Sequence, residues 1–207
     1  QVKYIFRPTI QLGYRFNNYL SIRYKAYMGG YAPSLTELSD VEQYIDIYQI
    51  RRGNPNLQAV RFFSNELSIS VGTKYISAEW FTRYSYDDKS YMEETIYTNG
   101  LYVRTYANQR GFHRLNSQIN LRIRPWKDYI SIQLAPFVNR YISNGNTYTH
   151  THTNWGVRAN LMGMYKNWYV GANLETSFHS LWGETLNKNE KSHSIVFGYN
   201  REKWGIE

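Results

Sequence analysis

The chain reads as all-β: an antiparallel up-and-down meander of about ten strands, part of a large transmembrane β-barrel with short turns at one end and long loops at the other. Three observations predict the meander, its membrane setting and its two unlike ends. Apolar side chains recur at every second position through the runs between turn signals, which is the period of a strand and not of a helix. Tight turns fall near residues 17, 73, 127, 167 and 202, at intervals of roughly 56, 54, 40 and 35 residues; removing two strands of about 10–12 residues each leaves connections of about 12–35 residues at the opposite end. Rings gather beside the short turns: Tyr14, Phe16 and Tyr19; Tyr75 and Trp80; Trp126 and Tyr129; Tyr165, Trp168 and Tyr169; Tyr199 and Trp204. That is the level of an interfacial aromatic girdle.

The elements follow in order. Leu12, Tyr14 and Phe16 alternate up to the turn Asn17-Asn18, and Leu20, Ile22, Tyr24, Ala26 and Met28 form the next apolar row, opposite Ser21, Arg23, Lys25 and Tyr27. After a long insertion, Leu67, Ile69 and Val71 run into Gly72-Thr73-Lys74, and Ile76, Ala78 and Trp80 leave it. Thr98-Asn99-Gly100 marks a small hairpin inside MEETIYTNGLYVRTY. Leu115, Ser117, Ile119, Leu121 and Ile123 alternate toward the turn Pro125-Trp126-Lys127-Asp128, and Ile130, Ile132 and Leu134 follow it. Asn144-Gly145-Asn146 caps the far end before Val157, Ala159 and Leu161; Lys166-Asn167 turns into Val170, Ala172 and Leu174. Gly183 to Ser192 reads as a polar loop, and Ile195, Phe197 and Tyr199 descend to a last turn at Asn200 to Lys203. No helical periodicity is visible. Pro8 and Pro136 cannot donate to a ladder, so each predicts a bulge or a strand projecting past the membrane.

The stretch from Tyr27 to Val71 carries a resemblance. YMGGYAPSLTEL, then RRGNPNL, then a strand opening NELSISV is similar to the β-barrel of TonB-dependent outer-membrane receptors, in particular the Bacteroidetes-type outer-membrane β-barrel proteins. The likeness is close from about the second to the fourth strand and architectural elsewhere. It implies a location in the bacterial outer membrane and a role in energised nutrient uptake. It further implies that residues 1–207 are one segment of a barrel domain, with the plug domain and the remaining strands absent. The partners it implies are outer-membrane lipid or lipopolysaccharide, an inner-membrane energy-transducing protein acting through that plug, and a small-molecule, glycan or peptide ligand. The final WGIE lacks the terminal aromatic that the resemblance leads one to expect, and the chain begins at Gln1 without an initiator Met or a signal-type stretch, so a processed or excised segment is expected.

Composition bounds the alternatives. No run of about 18 apolar residues occurs, so no transmembrane helix is encoded, whereas a spanning strand needs only about 10 residues with one apolar face. The 21 Tyr and 6 Trp suit surfaces that are apolar at one end and wet at the other. The absence of Cys removes disulfide and thiolate-metal frameworks. The net charge of +8 is spread one or two residues per strand with no nucleic-acid motif, so no nucleic-acid partner is expected and anionic headgroups account for it as well. Arg23, Lys25, Glu66, Glu79, Arg122, Arg124, Arg158 and Glu175 share the parity opposite the apolar row. An Arg or Lys facing lipid at mid-depth costs about 2–4 kcal/mol, so these side chains are expected in the lumen.

No catalytic constellation or cofactor motif is present, and Asp87-Asp88 and Glu93-Glu94 read as solvated loop charge. His150 and His152 share a strand face, but without an evident third ligand no metal site is assigned and an exposed loop is expected. Ligand contact is placed on the long loop at Tyr44, Tyr48, Arg51 and Arg52, which offer stacking surfaces and cationic donors; the competing reading has Tyr44, Ile45, Ile47, Tyr48 and Ile50 packing the loop on itself. Two other functions stay open: a soluble β-sandwich that binds carbohydrate with the same aromatics, and a barrel lipase built on Ser177 and His179.

Overall fold

The computed structural model of the chain describes residues 6–126, 129–201 and 204–206, so Lys127, Asp128, the 202–203 turn, the side chain of Trp204 and the final Glu207 lie outside the described residues. Strands β1 (Thr9–Arg15) and β2 (Leu20–Tyr31) open the chain. The insertion carries a helical turn, α1 (Leu35–Leu38), and two short strands, β3 (Gln43–Tyr44) and β4 (Gln49–Arg51). Then come β5 (Val60–Gly72), β6 (Ile76–Asp88), the hairpin β7 (Tyr91–Thr98) and β8 (Leu101–Asn108), β9 (Gly111–Ile123), β10 (Ile130–Asn144) and β11 (Thr149–Tyr165). The chain closes with β12 (Trp168–Glu175), the hairpin β13 (His179–Trp182) and β14 (Thr185–Lys188), β15 (Ser192–Arg201) and β16 (Trp204–Ile206). Among the described residues ten strands form one antiparallel sheet in the order β1-β2-β5-β6-β9-β10-β11-β12-β15-β16.

The short turns form for local reasons. Asn17 Oδ1 accepts the backbone N–H of Tyr19 at 2.8 Å and of Leu20 at 2.9 Å, which closes the first turn. Thr73 Oγ1 does the same for Tyr75 and Ile76. Lys166 takes φ +53° to join β11 to β12 with only two residues.

Register then sorts the side chains into two faces. Tyr14, Ile22, Ile69, Trp80 and Ile119 lie opposite one another across five strands, and Leu134, Ala159 and Leu174 continue that face. On the other face Lys25, Glu66, Arg83, Asn116, Asn139 and Asn154 form a polar row. Members of that face bond to one another: Arg83 Nε to Glu66 Oε1 at 2.7 Å, Ser68 Oγ to Glu79 Oε1 at 2.6 Å, Asn116 Nδ2 to Asn139 Oδ1 at 2.7 Å. Among the described residues no second layer covers the apolar face, with Leu12 63%, Phe197 62% and Ile195 82% exposed. This overturns the soluble sandwich, whose sheets must bury such a face against each other. Girdle rings Tyr14, Tyr75, Trp126, Tyr129, Tyr165 and Trp168 are exposed at the short-turn end. Tyr169 belongs to the other face, opposite Gly198, which corrects its place in the girdle.

Several expectations change in detail. One helical turn does exist: Ser34 caps it, donating its N–H to Glu37 Oε2 at 2.6 Å while its hydroxyl accepts the Glu37 N–H, a capping box invisible to periodicity because it spans one turn. Pro8 precedes β1 and is not in a strand. Pro136 makes no bulge; the β9–β10 register is the same on both sides of it, and pairing is simply absent between Leu134 and Phe137 where its missing N–H faces β9. β10 and β11 run 15 and 17 residues, longer than the roughly 9–11 a spanning strand uses, but Pro136 lies near the middle of β10 and not in its projecting end. Their extension replaces the long loop expected between them, and only residues 145–148 connect them. Gly183 to Ser192 is largely ordered as the end of a hairpin and not as an open loop.

The buried apolar cluster sits on the polar side of the sheet at its long-loop end. Phe112 of β9 and Tyr141 of β10 face inward there, and Met92 of β7 and Leu181 of β13 come from the loops to cover them, with Trp182 at 4.8 Å from the Phe112 ring. The two hairpins therefore fold in over the polar face. Gly183 of the second lies against Met92 and Glu93 of the first.

Candidate functional site

The insertion and the β7–β8 hairpin build one unit. Strand β4 pairs parallel with β8, Arg51 beside Arg104, giving a four-stranded sheet β3-β4-β8-β7 at the long-loop end. The hairpin turn is the type its residues dictate, with Asn99 at φ +51° and Gly100 at φ +81°.

The GNPNL turn is the clamp of this unit. Gly53 N–H donates to Ser39 O at 2.6 Å and Asn54 N–H to Glu37 O at 2.7 Å, so the turn grips the end of α1. Asn54 Nδ2 donates to Tyr106 O at 2.9 Å, and Asn108 brackets Gln58 through both backbone groups, which ties the insertion to β8. A Cβ on Gly53 would overlap the carbonyl oxygens of Glu37 and Ser39. Gly53→Ala is therefore expected to cost about 1–3 kcal/mol locally and to open the insertion to protease while the sheet stays folded. Limited proteolysis followed by mass mapping of residues 32–59 checks this.

The four predicted ligand residues separate. Arg51 and Arg52 together line a hollow of about 250 Å³ with Leu35, Val41, Gln43 and Tyr106. Arg51 Nη2 meets Tyr106 Oη at 2.7 Å and Glu93 Oε1 at 3.4 Å, and Glu93 also takes Arg104 at 2.9 Å. The Tyr106 hydroxyl, with a smaller contribution from the Glu93 charge, holds the Arg51 guanidinium in its charged form. Arg52 pairs with Glu42 at 3.5 Å. Tyr44 and Tyr48, 74% and 64% exposed, are outside the hollow: register puts Tyr44 on the opposite face with Ile50, and Tyr48 lies at the tip. The loop-packing alternative is met only by Ile50, which is buried, while Ile45 and Ile47 are exposed.

The sequence reading missed Tyr97 and Tyr102, whose rings stand 5.0 Å apart on the same face as Arg104 and Glu93. Alternation in ETIYTNGLYVR carried that signal. It also misjudged the carboxylates. Asp87 is 1% exposed within β6, bound by Arg114 Nη2 at 3.2 Å and Tyr31 Oη at 3.4 Å, and Glu94 accepts from Gln109 Nε2 at 3.0 Å. Burial under the folded-in loops, which composition does not reveal, explains the difference. His150 and His152 lie in β11 and not in a loop. They share the polar face, but His150 stacks on Tyr148 at 4.8 Å and His152 faces His179 instead. No hydrogen bond joins Ser177 to His179 among the described residues; Ser177 O accepts from Asn154.

A single-layer sheet with one face for lipid and one for water, short turns at one end and a folded loop layer at the other, defines an arc of a transmembrane β-barrel. The chain belongs to the outer membrane protein beta-barrel family, whose model matches residues 4–203, and its place is the bacterial outer membrane. The same fold appears in the ferric enterobactin receptor PfeA of Pseudomonas aeruginosa, at 11% identity over 95% of this chain and 33% of that one with a TM-score of 0.63. It appears in the siderophore receptor PirA of Acinetobacter baumannii, at 9% identity over 95% and 35% with a TM-score of 0.64. The siderophore receptor PirA of Pseudomonas aeruginosa gives 12% over 84% and 39%, with a TM-score of 0.56. The chain thus spans between a third and two-fifths of these receptors' lengths. Among curated proteins none matches.

Proposed function

We propose that this arc forms part of a receptor that imports a nutrient across the outer membrane by energised, TonB-dependent transport. The observation that carries the reading is the polar face. It holds a fixed net of Arg, Glu, Asn and Ser side chains, includes a hollow of about 690 Å³ lined by Arg15, Arg23, Glu79 and Arg122, and is roofed at the outer end by two folded-in hairpins. A barrel of about 22 strands holds a plug against such a wall. In this reading the plug comes from elsewhere in the same protein, an inner-membrane energy-transducing protein acts on it, and lipopolysaccharide and lipid surround the apolar face. The likeness in fold to siderophore receptors supports it, and so does the Bacteroidetes-type loop pattern.

Ligand capture is assigned to the loop layer. Arg51 and Arg52 supply charge in the hollow, and Tyr44 and Tyr48 supply rings beyond its rim, a set suited to an anionic or oxygen-rich small molecule, glycan or peptide. The chemistry is binding and not catalysis. Uptake by cells displaying the full-length receptor tests the reading. Uptake is expected to stop when the proton-motive force is collapsed; undiminished uptake would make the barrel a passive pore. Arg52→Ala, which among the described residues breaks only the ion pair with exposed Glu42, is expected to lower ligand affinity about tenfold without altering surface display. Equal affinity in the variant would remove Arg52 from the site.

A further inference from the structure

Two histidines meet where the β13–β14 hairpin folds onto the wall. His152 lies on the polar face of β11, opposite Tyr141, and His179 opens β13. Asn154, two positions along the same face, fixes their meeting: its Oδ1 accepts the His179 backbone N–H at 3.2 Å and its Nδ2 donates to Ser177 O at 3.4 Å. The imidazole centroids stand 5.7 Å apart with planes inclined by 33°. His152 Nε2 is buried and among the described residues has no hydrogen-bond partner.

A buried nitrogen without a partner calls for an explanation, and a bound water or ion is one. Two imidazoles on one ion, each with its nitrogen at about 2.0–2.1 Å, bring their ring centroids to about 5–6 Å at angles near or somewhat above tetrahedral. The observed separation falls in that range. Imidazole is neutral when it ligates and suits borderline first-row cations, copper most tightly and zinc next. Among the described residues no third His, Asp or Glu converges here, so an ion held at this place would take its remaining ligands from water. His150 takes no part, being stacked on Tyr148.

We propose that His152 and His179 together bind one Cu²⁺ or Zn²⁺ ion, which staples the β13–β14 hairpin to the barrel wall. The site is distinct from the Arg51 and Arg52 hollow and does not depend on what the receptor transports. Its physical effect is to hold one of the two hairpins that roof the polar face.

The test uses the full-length receptor in detergent. Cu²⁺ added at one equivalent is expected to give an electron paramagnetic resonance spectrum with splitting from two imidazole nitrogens. His152→Ala and His179→Ala are each expected to lose the two-nitrogen pattern, and His193→Ala, exposed on the apolar face, to keep it. Zn²⁺ is expected to slow proteolytic cleavage of residues 179–188 in the wild type and not in His179→Ala. No binding of either metal by the wild type, as when a trapped water alone fills the site, would overturn the proposal; so would an unchanged two-nitrogen spectrum in both alanine variants. Should His152→Ala fail to fold, His179→Ala and wild-type protection by Zn²⁺ decide the matter alone.

Discussion

Ile119→Arg is expected to destabilise the folded barrel in phospholipid vesicles by about 2–4 kcal/mol, the cost of an arginine facing lipid near mid-depth. Ile119 lies on the apolar face of β9 beside Trp80, about halfway along the part of the strand that rises from the short-turn end. Its neighbour Asn120 is the control. It is one residue along and on the opposite face, where its partner across the ladder is Glu79. Asn120→Arg is expected to stay within about 0.5 kcal/mol of the parent, since it meets water and a carboxylate. Urea unfolding in vesicles, followed by the heat-modifiable shift on gels, measures both. Equal costs at the two positions would mean that the faces have been assigned wrongly.

Arg114→Ala is the second large effect, at about 3 kcal/mol. Its partner Asp87 has a side chain only 2% exposed, and among the described residues that carboxylate meets, apart from Arg114, only the Tyr31 hydroxyl, at 3.4 Å. Removing the guanidinium leaves a buried charge with one weak donor, which is far more costly than losing an exposed pair. Arg114 itself is 39% exposed, so Asp87→Asn is expected to cost less, because the stranded arginine still reaches water. Replacing both residues by leucine is expected to recover most of the loss. The same vesicle unfolding experiment checks the set. A single variant indistinguishable from the parent would show that the pair contributes nothing to holding β6 and β9 together at the outer rim.

The wall of the barrel was legible from residue order alone. Its strands alternate strictly, and a one-residue slip would move every apolar side chain from lipid to water, so parity at Leu20, Leu67, Ile76, Leu115 and Ile195 already determined the faces that register later displayed. The turns were equally local: Asn17, Thr73 and Lys166 close them with their own side chains or backbone. The candidate site was legible only in part. Arg51 and Arg52 do share a hollow, but Tyr44 faces away because β3 pairs with β4 in a register that no local pattern specifies.

What the sequence determined by itself, then, is the sheet, its two faces and the ends at which turns and loops lie, because side-chain period and turn chemistry act over a few residues. What only the tertiary structure decided is the loop layer. The parallel pairing of Arg51 with Arg104, the burial of Asp87, the cover of Met92 and Leu181 over Phe112, and the meeting of His152 with His179 join residues 20 to 69 positions apart. Such contacts depend on which distant loop arrives above a given strand, and alternation, which records only inward against outward, carries no information about that.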